Sequence, residues 1–160
     1  MKLTPKERGD LRRLLKGTAD DPTVQKMRLF TQHGSISTYR HCADVTRMCF
    51  WLNRRLHLGA DERTLVRGAF LHDLYLYDWH DKDPSHKWHG FHHADKALEN
   101  ASGQFHLNRK EKQMIYCHMW PLNLTRVPKS REALILCVAD KLCALRETFL
   151  YRNAGQKNKK

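Results

Sequence analysis

The sequence predicts an all-α fold, one domain of about six to seven helices, from three observations. Apolar residues recur at i, i+3, i+4 spacing along almost the whole chain, the mark of helices with one buried face. No segment sustains the period-two alternation of a half-buried strand. The chain has 160 residues, 41% hydrophobic and 29% charged, with 8 Gly and 5 Pro. That suits a single core and argues against disordered, collagen-like and repeat classes.

Taken in order, Pro5 is a good first helical residue, and Leu11, Leu14 and Leu15 give a first helix that stops at Gly17. Asp21 with Pro22 opens a short second one through Met27 and Phe30. Ser37 or Thr38 caps a long helix reaching His57, with Val45, Met48, Cys49, Leu52 and Leu56 on one face and Gly59 past its end. Asp61 caps a fourth, in which Leu65, Val66, Ala69, Phe70 and Leu74 recur up to about Tyr75. Residues 78–87 are polar, contain Pro84 and read as a loop.

His89 to Ala101 reads as a helix with Ala94, Ala97, Leu98 and Ala101 inside. Asn108 caps one covering Glu111 to His118, and Pro121 and Pro128 bracket a connecting loop. Ser130 to about Tyr151 forms the last long helix, on Ala133, Leu134, Cys137, Val138, Leu142, Leu145 and Phe149. Residues 1–32 are then N-terminal helices packing on a domain of residues 33–152, and residues 153–160 a basic, disordered tail.

No stretch approaches the roughly 18 apolar residues of a membrane span, and the N-terminus turns polar at once, unlike a signal peptide. The five cysteines, all in apolar-periodic stretches and none in a C-x-x-C pair, look like reduced, buried thiols. A cytoplasmic protein without a membrane partner is the expectation.

Two quantities stand out, a formal charge of +12 and 11 histidines. Charge is segregated: +7 over residues 1–60, −3 over 61–100 and +8 over 101–160. The acidic middle also holds His72, His80, His86, His89, His92 and His93.

Asp140 ends the most apolar run of the chain, Leu134-Ile135-Leu136-Cys137-Val138-Ala139. A carboxylate buried there needs a cation, a cluster of donors or a proton. Lys141, about 100° round the helix, is poorly placed to pair with it, which leaves a metal or a distant Arg. Asp73 has the same problem beside His72, in Ala69-Phe70-Leu71-His72-Asp73-Leu74, where the pair is expected on the last turns of a buried helix. His41 shares a face with Asp44, Val45 and Met48, and His118 follows Met114, Ile115 and Cys117. His89 and His93 stand at i, i+4, which lets two imidazoles approach one ion. Nitrogen and oxygen donors without thiolate suit Mn²⁺, Fe²⁺, Mg²⁺, Ni²⁺, Co²⁺ or Zn²⁺ rather than a zinc knuckle.

In the order His41, His72-Asp73, His93, His118, Asp140, the chain resembles the HD superfamily of metal-dependent phosphohydrolases over about residues 33 to 150. The most specific parts are Gly68-Ala69-Phe70-Leu71-His72-Asp73 and Val138-Ala139-Asp140-Lys141. Gln32-His33-Gly34-Ser35 and His89-Gly90-Phe91 are similar to a small bacterial subgroup. The resemblance implies that His41, His72, Asp73 and Asp140 hold one divalent ion and that Asp73 bridges to a second held by His93 and His118. His89 is a further candidate ligand. Where many members continue the dipeptide with small residues and a Lys, this chain has Leu74-Tyr75-Leu76-Tyr77-Asp78, so another cation must meet the phosphate or the substrate differs.

The implied function is hydrolysis of a phosphomonoester or phosphodiester by metal-activated water. A nucleotide or other small phosphorylated metabolite is the expected substrate, with His72 and Asp73 as the catalytic residues. Lys96, three residues past His93, is the first candidate phosphate contact, followed by Lys87, Arg40, His33 and Trp120. Taken singly, His41, His72 or His118 is more simply a hydrogen-bonded core residue; two carboxylates in apolar runs are what favour a metal jointly. His57, His80, His86, His92 and His106 read as surface or loop residues, and Trp51 and Tyr75 as core. Two rival readings remain, a di-iron oxygenase on the same ligands and a non-catalytic nucleic-acid-binding domain exploiting the +12 charge. The basic flanks suit the steering of an anionic substrate. Oligomeric state is left open.

Overall fold

The computed structural model describes the backbone of residues 1–80 and 89–157; the side chains of His33, His89 and residues 150–157 lie outside that description. Among the described residues seven α-helices carry the fold: α1 (Pro5–Leu15), α2 (Pro22–Gln25), α3 (Thr38–Arg55), α4 (Glu62–Leu71), α5 (His89–Gln104), α6 (Arg109–Cys117) and α7 (Arg131–Lys157).

The caps explain where most of them start. Thr4 and Glu7 form a reciprocal capping box at α1, and Pro22 occupies the first turn of α2 behind Asp21. Ser37 accepts from the Arg40 N–H at α3, and Asp61 accepts from the Thr64 N–H at α4. Asn108 and Glu111 form a second capping box at α6.

The chain departs from the expected elements at four places. A two-stranded antiparallel hairpin, β1 (Thr31–His33) and β2 (Ile36–Ser37), precedes α3. Strands of three and two residues are too short for alternation to register in the sequence, and Gly34, at φ +60°, makes the reversal. The second helix is only one turn long and continues as a 3-10 turn over Lys26–Leu29. α4 stops at Leu71, so His72 and Asp73 occupy the turn that follows it rather than its last turns. α7 runs on to Lys157, past the point where its apolar periodicity ends.

α3 packs on α4 and α7, and α6 lies against α4, α5 and α7. Val45, Cys49, Leu65, Ala69, Met114 and Leu136 form one core cluster. Met27, Phe70, Leu71, Leu74, Ala97 and Ile115 form another. Fully burying each Val, Leu, Ile, Phe or Met side chain among them is worth about 1.5–3 kcal/mol. All five cysteines are buried and free. Gly68 sets the approach of α4 to α6: a Cβ there would stand 2.6 Å from Met114 Sδ. Those are the two helices whose C-terminal turns present His72 and His118. No helix among the described residues is long and apolar enough to cross a membrane.

Candidate metal centre

His72 and His118 are C-caps of α4 and α6, and each solves the same local problem. The last carbonyls of a helix lack intrahelical donors. His72 Nδ1 lies 2.8 Å from Ala69 O, and His118 Nδ1 lies 2.8 Å from Ile115 O. In both, Nδ1–H donates to the carbonyl three residues back, which fixes the tautomer and leaves Nε2 with its lone pair turned inward. Sequence spacing finds these histidines; it is the helix end that aims them.

His41, in the first turns of α3, is held at both ring nitrogens. Nε2 lies 3.1 Å from Asp140 Oδ1 and Nδ1 lies 3.0 Å from Glu147 Oε2. Asp140 Oδ1 is also 3.7 Å from His72 Nε2.

Asp73 sits between two sets of imidazoles. Its Oδ2 lies 3.4 Å from His72 Nε2 and 3.9 Å from His41 Nε2. Its Oδ1 lies 3.3 Å from His93 Nε2 and 3.4 Å from His118 Nε2, and those two nitrogens are 2.8 Å apart. Two groups, His41–His72–Asp73 and Asp73–His93–His118, thus each bring three donor atoms within 4.8 Å of one another. Either group could hold a metal ion, and Asp73 belongs to both. His72 Nε2 and Asp73 Oδ1 are buried and make no hydrogen bond. An inward lone pair and an inward carboxylate oxygen, both shielded from water, fit a cation between them.

At His41, His72, Asp73 and Asp140 burial opposes the charge, and pairing overrides it. Burial would lower the His41 pKa, yet the bonds to Asp140 and Glu147 hold it up at about 10. His72 is likewise raised well above its ordinary value despite burial, by the neighbouring Asp73 and Asp140 carboxylates. Burial works to raise Asp73 and Asp140, but the facing histidines keep both well below the usual carboxylate range. His118 goes the other way, lowered by burial to about 4. Without a metal, protons on His41 and His72 therefore supply the positive charge that the carboxylates require, that of His72 on the Nε2 whose lone pair a metal would take.

A polar chain orients Asp73 from behind. Gln32 Nε2 donates to Asp73 Oδ2 at 2.9 Å, Tyr75 OH donates to Gln32 Oε1, and Thr38 Oγ1 lies 3.0 Å from that hydroxyl. Gln32 is carried by β1, so the hairpin absent from the sequence-based expectation delivers a residue to the centre.

The structure brings His41, His72, Asp73, His93, His118 and Asp140 together, all buried. Of the proposed phosphate contacts, Lys96 is exposed and pairs with Glu99 at 2.9 Å, while exposed Arg40 pairs with Asp44 at 3.1 Å. Trp120 is half-buried, two residues past His118. Lys87 and the side chains of His33 and His89 lie outside the described residues, as do His86 and Trp88. His57, His80, His92 and His106 are exposed, as expected of surface positions.

The expectation for Lys141 is corrected: its Nζ lies 3.3 Å from Asp140 Oδ2 and donates to His118 O at 2.6 Å. A flexible four-carbon stem bends back where helical phase alone does not point. Sequence reasoning missed Glu147 and the role of Gln32. Glu147 stands seven residues after Asp140, two turns along the same buried face, a signal that was available.

A family model described as HD domain matches residues 38–145, more than half of the chain. No curated protein and no solved structure matches.

Proposed function

Because this chain belongs to the HD-domain family, we propose that it is a metal-dependent hydrolase of phosphate esters, with a nucleotide or other small phosphorylated metabolite as substrate. The observation that carries the reading is the division of Asp73, with Oδ2 toward His41 and His72 and Oδ1 toward His93 and His118. A carboxylate so divided suits a bridge between two divalent ions. The ligands of the first would be His41, His72, Asp73 and Asp140, and those of the second Asp73, His93 and His118.

Bound there, divalent metal supplies Lewis acidity, drawing charge from phosphoryl oxygens and making a nucleophile available from water at neutral pH. The chain's own residues do the rest. The Ala69 and Ile115 carbonyls fix the tautomers of His72 and His118, and Glu147 fixes His41. Gln32 keeps Asp73 in its dividing orientation. Lys141, with its side chain 35% exposed at the edge of the cluster, stands where an ammonium can meet an anionic substrate. Lys96 is a further cation on α5, the helix that carries His93.

The test is elemental analysis of protein purified without added metal, then a phosphatase screen over nucleotides and sugar phosphates with Mn²⁺, Co²⁺, Ni²⁺ and Mg²⁺. Turnover that vanishes with chelator and returns with one of these ions supports the reading. Tightly held iron with O₂ consumption and no phosphate release would replace it with the oxygenase. Salt-dependent nucleic-acid binding unaffected by Asp73→Ala, without metal-dependent turnover, would replace it with a binding domain.

A further inference from the structure

Three guanidinium groups converge on one buried carboxylate beside the metal centre. Arg40 Nε lies 3.1 Å from Asp44 Oδ2, Arg47 Nη1 3.0 Å from Asp44 Oδ1, and Arg146 Nη2 3.3 Å from Asp44 Oδ2. Arg40 and Arg47 flank Asp44 on α3 at i−4 and i+3, and Arg146 reaches across from α7. Asp44 balances one of the three charges. Among the described residues no other carboxylate forms an ion pair with them; Glu147, next to Arg146, turns its Oε2 to His41, and its Oε1 is buried without a hydrogen bond.

These arginines line an open cavity of about 560 Å³, within the range of small-molecule sites. Ser35 and Ser37 complete one wall, and Ser37 is the N-cap of the 18-residue α3. The positive end of that helix therefore adds to the two unbalanced guanidinium charges. Like charges gathered in one concavity repel, and an anion with several acceptor oxygens relieves that repulsion while using the forked donors of Arg.

We propose that this cavity is a second anion site, separate from the metal centre, that takes the phosphoryl group of a small phosphorylated ligand. Arg40, Arg47 and Arg146 donate to the phosphoryl oxygens, and the serine hydroxyls complete the cradle. His41 divides the two sites. Its Nε2 faces Asp140 in the metal centre, and its Nδ1 faces Glu147, which lines the cavity. A ligand here sits behind the carboxylate that orients a candidate metal ligand, so its charge reaches the centre through one side chain. Nothing in this placement depends on the hydrolase reading.

The test is NMR of the full-length, metal-loaded, ¹⁵N-labelled protein, following the arginine Nε–Hε signals as inorganic pyrophosphate is added at low ionic strength. The expected result is saturable shifts at Arg40, Arg47 and Arg146. Affinity should fall at least tenfold in Arg146→Gln and in Arg47→Gln. Arg13→Gln, in a basic cluster elsewhere with Arg63 and Arg67, should leave it unchanged, and melting curves of all three variants check that the fold is retained. Non-saturating shifts, equal weakening by Arg13→Gln, or shifts confined to the metal centre would overturn the proposal. So would a single-stranded oligonucleotide that binds tighter than pyrophosphate and is weakened by Arg8→Gln and Arg12→Gln, because an outer polyanion surface would then explain the arginines. Loss of phosphatase activity with pyrophosphate binding intact would count against the hydrolase reading alone.

Discussion

Glu147 Oε2 lies 3.0 Å from His41 Nδ1, so the imidazole that faces Asp140 is braced at its other edge by a carboxylate 1% exposed. Carboxylates in this position raise the basicity of a ligating histidine and hold its ring in place. Glu147→Ala should weaken metal binding by about 10–100-fold, the usual effect of losing such a brace. Glu147→Gln, whose amide oxygen still accepts from Nδ1–H, should fall between the variant and the wild type. Chelator-competition titration measures both, and equal affinity in Glu147→Ala and wild type would refute the bracing role.

Asp73 and Asp140 should not be equivalent. Of the four imidazoles Asp140 approaches His41 and His72, whereas Asp73 faces all four. Asp140→Ala should cost one bound ion, a paired His93→Ala and His118→Ala change the other, and Asp73→Ala both. Metal stoichiometry by elemental analysis, beside a circular-dichroism spectrum for fold retention, reads the series. If Asp73→Ala still holds its full complement of metal, the bridging assignment is wrong.

Much of this arrangement was legible in the sequence, for a physical reason. Buried carboxylates in apolar runs demand partners, so Asp73 and Asp140 advertise themselves, and helical periodicity carries α3 through α7. What spacing cannot show is direction. His72 and His118 look like the last residues of helices, but their aim comes from capping a carbonyl three residues back. Gln32 escapes because it acts from a three-residue strand whose partner has two residues, below the length at which alternation has meaning. Lys141 was misjudged because helical phase describes Cβ positions, not where a long side chain ends.

The cap of α6 should set stability without setting chemistry. Asn108 accepts from the Glu111 N–H at 2.9 Å and donates to Thr64 Oγ1 at 3.0 Å, tying the start of α6 to α4. Asn108→Ala should lower stability by about 1 kcal/mol, the ordinary cost of losing such a cap. In a domain this size that is a fall in Tm of roughly 2–4 °C. Bound metal should be unchanged, since His118 lies at the other end of the helix. Calorimetry and elemental analysis on the same sample check both halves, and metal loss at unchanged Tm would contradict the separation.

Acid–base behaviour should run in opposite directions with and without metal. In metal-free protein the His41 pKa is about 10, above its ordinary 6.5. A group raised on folding contributes its full stabilisation below about pH 6.5 and loses it as pH climbs through about 10. Asp73 and Asp140 are depressed from 3.8, so their contribution is present above that pH and disappears as the solution is made more acid. Chelated protein should therefore melt at falling temperature from pH 7 to 10. Metal needs neutral imidazoles and must displace the protons of His41 and His72, both raised above their ordinary value, so apparent affinity should rise over the same interval, by about tenfold per pH unit for each proton released. His118, lowered to about 4, is already neutral there and releases none. Calorimetry in chelator and competition titrations across the same buffers test the two trends. Metal affinity that stays flat while the chelated protein loses stability would mean that His41 is not a ligand.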